Sequence, residues 1–147
     1  MALINTLMVC TGNVCRSPMA EGLLTSRLAG KGGMGVGSCG IAALVGKPAT
    51  DEAIEVMRQH GLNIGAHRAR QLDAQVLRDF ELVLVMERGQ RTWILDEIPL
   101  ARGRVHLLGR WRGDLEIPDP YRKGMAAFEH AYELIDQCVG DWADRMA

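Results

Sequence analysis

Ten residues into the chain, in the run LMVCTGNVCRSP, a cysteine stands six positions before an arginine. A cysteine at the end of an apolar run is ordinarily a small core residue. The residues that follow Cys10 give it another use. A loop that curls from a strand into a helix turns several backbone N–H groups into one concavity, and the helix N-terminus adds positive potential. Gly12 and Asn13 are the residue types that tolerate the left-handed backbone such a curl requires. Next to a helix N-terminus and a cation, a thiol pKa falls from about 8.5 to roughly 3.5–7.5, so Cys10 is expected to be a thiolate. Arg16, across the loop, offers a planar fork to two oxygens of one anion. Nucleophile, donor ring and guanidinium together describe attack on a tetrahedral oxyanion, and Thr11, Gly12, Asn13, Val14, Cys15 and Ser17 complete the candidate phosphate-binding loop.

Such a loop needs a strand before it and a helix after it. TLMVC and LVLVM are continuous apolar runs of the kind buried on both faces of a parallel sheet. RVHLL near 104–108 is a weaker third, and MGVGSC near 34–39 a fourth that its glycines weaken. Helical patterns lie between them. Pro18 suits a first helical position with Ser17 as its N-cap, followed by the apolar face Met19, Leu23, Leu24 and Leu28. Thr50 caps a second helix that opens with Asp51 and Glu52, charges that favour its dipole, and that Gly61 closes. Phe128, Ala131, Ile135, Cys138 and Trp142 recur at helical spacing in a last one. The expectation is an α/β fold: a single three-layer domain over 1–147, with a four-stranded parallel sheet, helices on both faces and the phosphate-binding loop after the first strand. In such folds ligands bind beyond the strand C-termini.

Composition narrows the classes. The 147 residues are 48% hydrophobic and 24% charged, with a formal charge of -1, which gives no basic surplus for nucleic acid. No apolar run approaches the roughly 20 residues that span a bilayer, and the N-terminus lacks the basic start of a secretory signal; a cytoplasmic protein without membrane insertion is expected. The four cysteines and four histidines show no metal-ligand spacing, so neither metal nor cofactor is expected. GVGSCG (35–40) fits a dinucleotide-binding pattern without its strand and capped-helix context. GIAALVGKP has one residue too many for a nucleotide P-loop, and Pro48 where magnesium needs a hydroxyl.

CTGNVCRSP resembles the signature of the low-molecular-weight protein tyrosine phosphatases, and the resemblance runs nearly the whole chain. SCGIAALVGKPA (38–49), AHRARQL (66–72) and IPDPYRKG (117–124) are similar to further segments of that family. ALVGKPA and DPYRK look most like its bacterial branch tied to exopolysaccharide and capsule production, whose partners are tyrosine autokinases. The resemblance implies hydrolysis of phosphotyrosine in a protein substrate, a membrane tyrosine autokinase in this branch. It makes Cys10 the nucleophile, Arg16 the phosphate clamp and Asp119 the general acid, which must be protonated when substrate arrives. Asn13, Ser17, Ser38 and His67 would form the network that holds the loop. Ser17 thereby has two readings, helix cap and donor to the thiolate. Tyr121 and Leu44 are expected as opposite walls against a phenyl ring. Cys39 stands where the family usually has alanine, and Tyr121-Arg122 where animal members have two aromatics.

Cys15 is small enough for simple packing, or is the partner of Cys10 in a reversible disulfide that shields it from over-oxidation. Two other functions use the same loop. Arsenate reduction needs further cysteines to relay a disulfide outward, and only Cys39 and Cys138 remain. A catalytically idle phosphotyrosine-binding module leaves Asp119 and a reactive thiol without a task.

Overall fold

The computed structural model describes residues 4–31 and 35–146. Four strands, β1 (Thr6–Cys10), β2 (Val36–Gly40), β3 (Leu82–Val85) and β4 (Val105–Leu107), form one sheet in the order β2-β1-β3-β4. All pairings are parallel, with Cys10 opposite Gly40, Val9 opposite Val85, and Val85 opposite Leu107. The glycine-rich stretch is therefore a strand; of the run expected there, Met34 lies outside the described residues.

The parallel arrangement follows from helical crossovers. Helices α1 (Arg16–Arg27), α2 (Asp51–Gln59) and α5 (Met125–Met146) cover one face, and α3 (Ala74–Leu77) and α4 (Arg88–Glu97) the other. Alternation along β1 divides its side chains: Met8 packs beneath α1 and α5, while Leu7 and Val9 pack beneath α4. The residues read as the stripe of the last helix, Phe128 through Trp142, are all buried in α5. Thr50 caps α2, its hydroxyl accepting from the Ala53 N–H. Gly61 follows that helix in the left-handed conformation.

The start of α1 differs from expectation. The helix begins at Arg16 with Cys15 in the cap position and no side-chain cap. Ser17 lies inside the first turn because its hydroxyl is taken up by the loop. Gly12 is not left-handed either; within residues 11–15 Asn13 alone carries a positive φ, of 60°. One such residue suffices to reverse the chain, and Gly12 instead faces Leu44.

Candidate active site

Residues 11–15 connect the C-terminal end of β1 to α1, and the direction of their carbonyls determines what the loop can do. The Cys10, Thr11, Gly12 and Val14 carbonyls accept from the N–H groups of Ile41, Ala42, Leu44 and Thr50. The Asn13 carbonyl faces the His67 Nε2 at 2.7 Å, so that nitrogen carries the proton. With every one of these carbonyls directed outward, the opposed N–H groups of residues 11–15 turn inward. The Asn13 N–H does so 3.3 Å from the Cys10 sulfur.

A second set of bonds locks the loop from behind. Asn13 is fully buried. Its Oδ1 accepts from the Arg70 backbone N–H, and its Nδ2 donates to Ser17 Oγ at 2.8 Å and Ser38 Oγ at 3.0 Å. Ser38 Oγ in turn donates to Glu21 Oε1 at 2.6 Å. Because Ser17 Oγ receives the Asn13 amide, its hydroxyl proton is left for Cys10 Sγ, 2.9 Å away. Of the two readings of Ser17, a helix cap has no bond here, and the contact made is the one to the Cys10 sulfur. Asn13, Ser17, Ser38 and His67 are thus brought together behind the loop.

Arg16 is 1% exposed, and an unpaired buried cation is costly. Its Nη1 donates to Glu87 and to the Ile117 carbonyl, both at 2.8 Å, while Nη2 lies 3.8 Å from Asp119. Asp119 is half exposed, and its other oxygen accepts from the Tyr121 N–H, which fixes the turn. Cys10, Thr11, Gly12, Val14, Cys15, Arg16, Leu44, Asp119 and Tyr121 line one cleft of about 180 Å³. It is a bowl with a sulfur at its base, a guanidinium beside it, a carboxyl on its rim, and Leu44 and Tyr121 as apolar walls. An aryl oxyanion fits that chemistry.

Burial governs the remaining thiols. All four cysteines are free and buried. Burial pushes the Cys15 thiol up to about 12 against a bond from Thr50, its sulfur 3.7 Å from that hydroxyl. Burial likewise takes Cys39 to about 12 and Cys138 to about 11. Cys39 belongs to the core beneath α4 and Cys138 to the core beneath α1 and α5.

Sequence reasoning missed Glu87, Glu21, Arg70 and Gln90. Gln90 is buried; its amide donates to Thr11 Oγ1, and its carbonyl accepts from the Met86 and Glu87 N–H groups. A signal was available for Glu87. It follows an apolar strand directly, and the end of a strand neighbouring β1 is where a partner for Arg16 has to be.

A family model described as low molecular weight phosphotyrosine protein phosphatase matches residues 5–147. The chain is 41% identical over 141 residues to the low molecular weight protein-tyrosine-phosphatase Etp of Escherichia coli K12, covering 96% of this chain and 93% of that one. It is 44% identical over 140 residues to the probable low molecular weight protein-tyrosine-phosphatase EpsP of Ralstonia nicotianae, covering 95% and 94%. Among solved structures, Vibrio vulnificus Wzb in complex with benzylphosphonate superimposes with a TM-score of 0.93 at 40% identity, covering 98% of this chain and 99% of that one.

Proposed function

The chain belongs to the low molecular weight phosphotyrosine protein phosphatase family, and from that premise we propose that it hydrolyses protein phosphotyrosine through a phosphocysteine intermediate. Charge on the phosphoryl oxygens is what repels a nucleophile, so the inward N–H groups and Arg16 act on the largest barrier. The Cys10 thiolate attacks phosphorus in line while the bond to the tyrosine oxygen breaks, and Asp119 gives that oxygen its proton. Water then attacks phosphorus, Asp119 takes a proton back, and the S–P bond breaks to release inorganic phosphate and the thiolate.

One observation carries this reading. Ser17 Oγ and the Asn13 N–H both converge on the Cys10 sulfur, at 2.9 and 3.3 Å, at the base of the bowl. The benzylphosphonate held by the Wzb relative has the aryl-plus-phosphoryl character that this cleft suits. Cys15 in the same loop supports a reversible disulfide with Cys10 as protection, with closure limited by a thiol that burial keeps protonated. Arsenate reduction finds no relay, since Cys39 and Cys138 sit in separate cores with thiols pushed to about 12 and about 11.

Likeness to Etp, EpsP and Wzb relatives supports a finer reading, in which the substrate is a membrane tyrosine autokinase of exopolysaccharide or capsule production, met in the cytoplasm. Among the described residues no helix is long and apolar enough to cross a membrane. The test is Cys10→Ser, which should abolish turnover of p-nitrophenyl phosphate and phosphotyrosine peptides while still binding phosphate. The same variant, used as a trap in lysate, should retain a phosphotyrosine kinase. Surviving activity would overturn the chemistry, and capture of mainly phosphoserine proteins would overturn the substrate.

A further inference from the structure

On the outer edge of β4, one residue beyond the Glu87 that holds Arg16, lies a second concavity of about 450 Å³. Arg88, Arg91, His106, Arg110 and Asp114 line it. Two of its three guanidiniums are anchored by neutral groups. Arg91 donates its Nε–H to the Val105 carbonyl at 3.1 Å. Arg110 donates to His106 Nδ1 at 3.1 Å and stacks over the Trp111 ring, 4.8 Å from its centroid. Arg27, Arg58 and Arg112, by contrast, are each matched to a carboxylate. Arg88 is paired with Glu116 on the rim, and its Nη2 donates to the Asp114 carbonyl. Among the described residues neither Arg91 nor Arg110 has a carboxylate within 4 Å.

The imidazole registers the uncompensated charge. An arginine has only donors, so His106 Nδ1 is an acceptor and the ring is neutral. Burial first, then Arg110 and Arg91, hold its pKa below the ordinary histidine value. Two guanidiniums held in place before any ligand arrives, with their charge left over, match the oxygens of a phosphoryl group.

We propose that this concavity is a second phosphoryl subsite, which takes another phosphorylated tyrosine of the substrate chain whose first phosphotyrosine occupies the Cys10 bowl. The inference rests on the tyrosine phosphatase reading. β4 is two strand spacings from β1 and the concavity lies beyond it, about 15 Å from the bowl. About five extended residues cover that distance, so the protein should favour substrates with phosphotyrosines clustered at such intervals.

The experiment compares peptides with one phosphotyrosine, with a second phosphotyrosine four to six residues away, and with glutamate in the second place. The doubly phosphorylated peptide should have a KM about tenfold lower at equal kcat, beyond the twofold that two targets give statistically; hydrogen bonds to charged groups are strong enough for this. Arg91→Gln and Arg110→Gln should each remove most of the gain and leave p-nitrophenyl phosphate kinetics unchanged. Equal KM values for singly and doubly phosphorylated peptides would overturn the proposal. So would the full gain from glutamate, or its persistence in both variants. Failure of the parent reading would look different: no phosphotyrosine peptide would be turned over at all.

Discussion

Arg16 is the residue whose environment decides whether the bowl works. Its charge is buried and its Nη1 is shared between the Glu87 carboxylate and a backbone carbonyl, leaving the rest of the fork directed toward Asp119 and the cleft. Glu87→Gln keeps the shape and removes the charge that pins the guanidinium plane. We expect kcat to fall about tenfold, the size of effect that misaiming a positioned group produces, while phosphate inhibition stays within about threefold. Steady-state kinetics with phosphate as inhibitor checks this, and an unchanged kcat would mean that the carbonyl alone orients Arg16. At this scale the sequence was legible where chemistry is local. Cys10, Asn13, Arg16 and Ser17 lie within eight positions and could be read as one loop. Glu87 stands 71 positions from Arg16 and Glu21 meets Ser38 from another element; only the packed sheet brings such pairs together, so periodicity and motif spacing were blind to them.

At the scale of elements, β2 shows how close packing can hide a strand. Its glycines weakened the reading from sequence, because glycine is depleted in strands. Each is required by a neighbour. A Cβ on Gly37 would stand 2.8 Å from the Phe80 ring, and one on Gly40 would stand 2.5 Å from the Thr11 carbonyl and 3.1 Å from the Asn13 nitrogen. Gly40 thus sets how near β2 can come to the loop of residues 11–15. Gly40→Ala forces the rigid backbone of that loop to shift, with an expected loss of about 10–100-fold in kcat/KM at a stability cost of about 1–3 kcal/mol. Activity assays paired with thermal unfolding separate the two effects; wild-type kcat/KM would show that the loop yields freely. The start of α1 was misread for a related reason. Ser17-Pro18 has the composition of a cap and first turn, but the hydroxyl is worth more to the Cys10 sulfur and Asn13 than to a helix end.

For the molecule as a whole, strong apolar runs and one amphipathic helix were enough to give the layers, since β1 and β3 are buried along their entire length and α5 carries a long stripe. That burial has a consequence for pH. Cys15, Cys39 and Cys138 keep their protons to about 12, about 12 and about 11 in the folded chain, because burial disfavours the thiolate. In the unfolded chain each ionises near 9.0. The folded state therefore binds more protons than the unfolded state above pH 9, and stability falls as pH rises from there toward 12. Three such groups, each on the order of a few kcal/mol when fully expressed, are comparable to the total stability of a domain. Cys39→Ala isolates one of them. Below pH 9 the variant should be less stable by about 1 kcal/mol through lost packing. Above pH 9 its melting temperature should decline less steeply than the wild type's, and the two curves should converge or cross by pH 11. Melting curves under reducing conditions from pH 7 to 11 make the comparison. Parallel curves across that range would show that Cys39 ionises no differently in the fold than out of it.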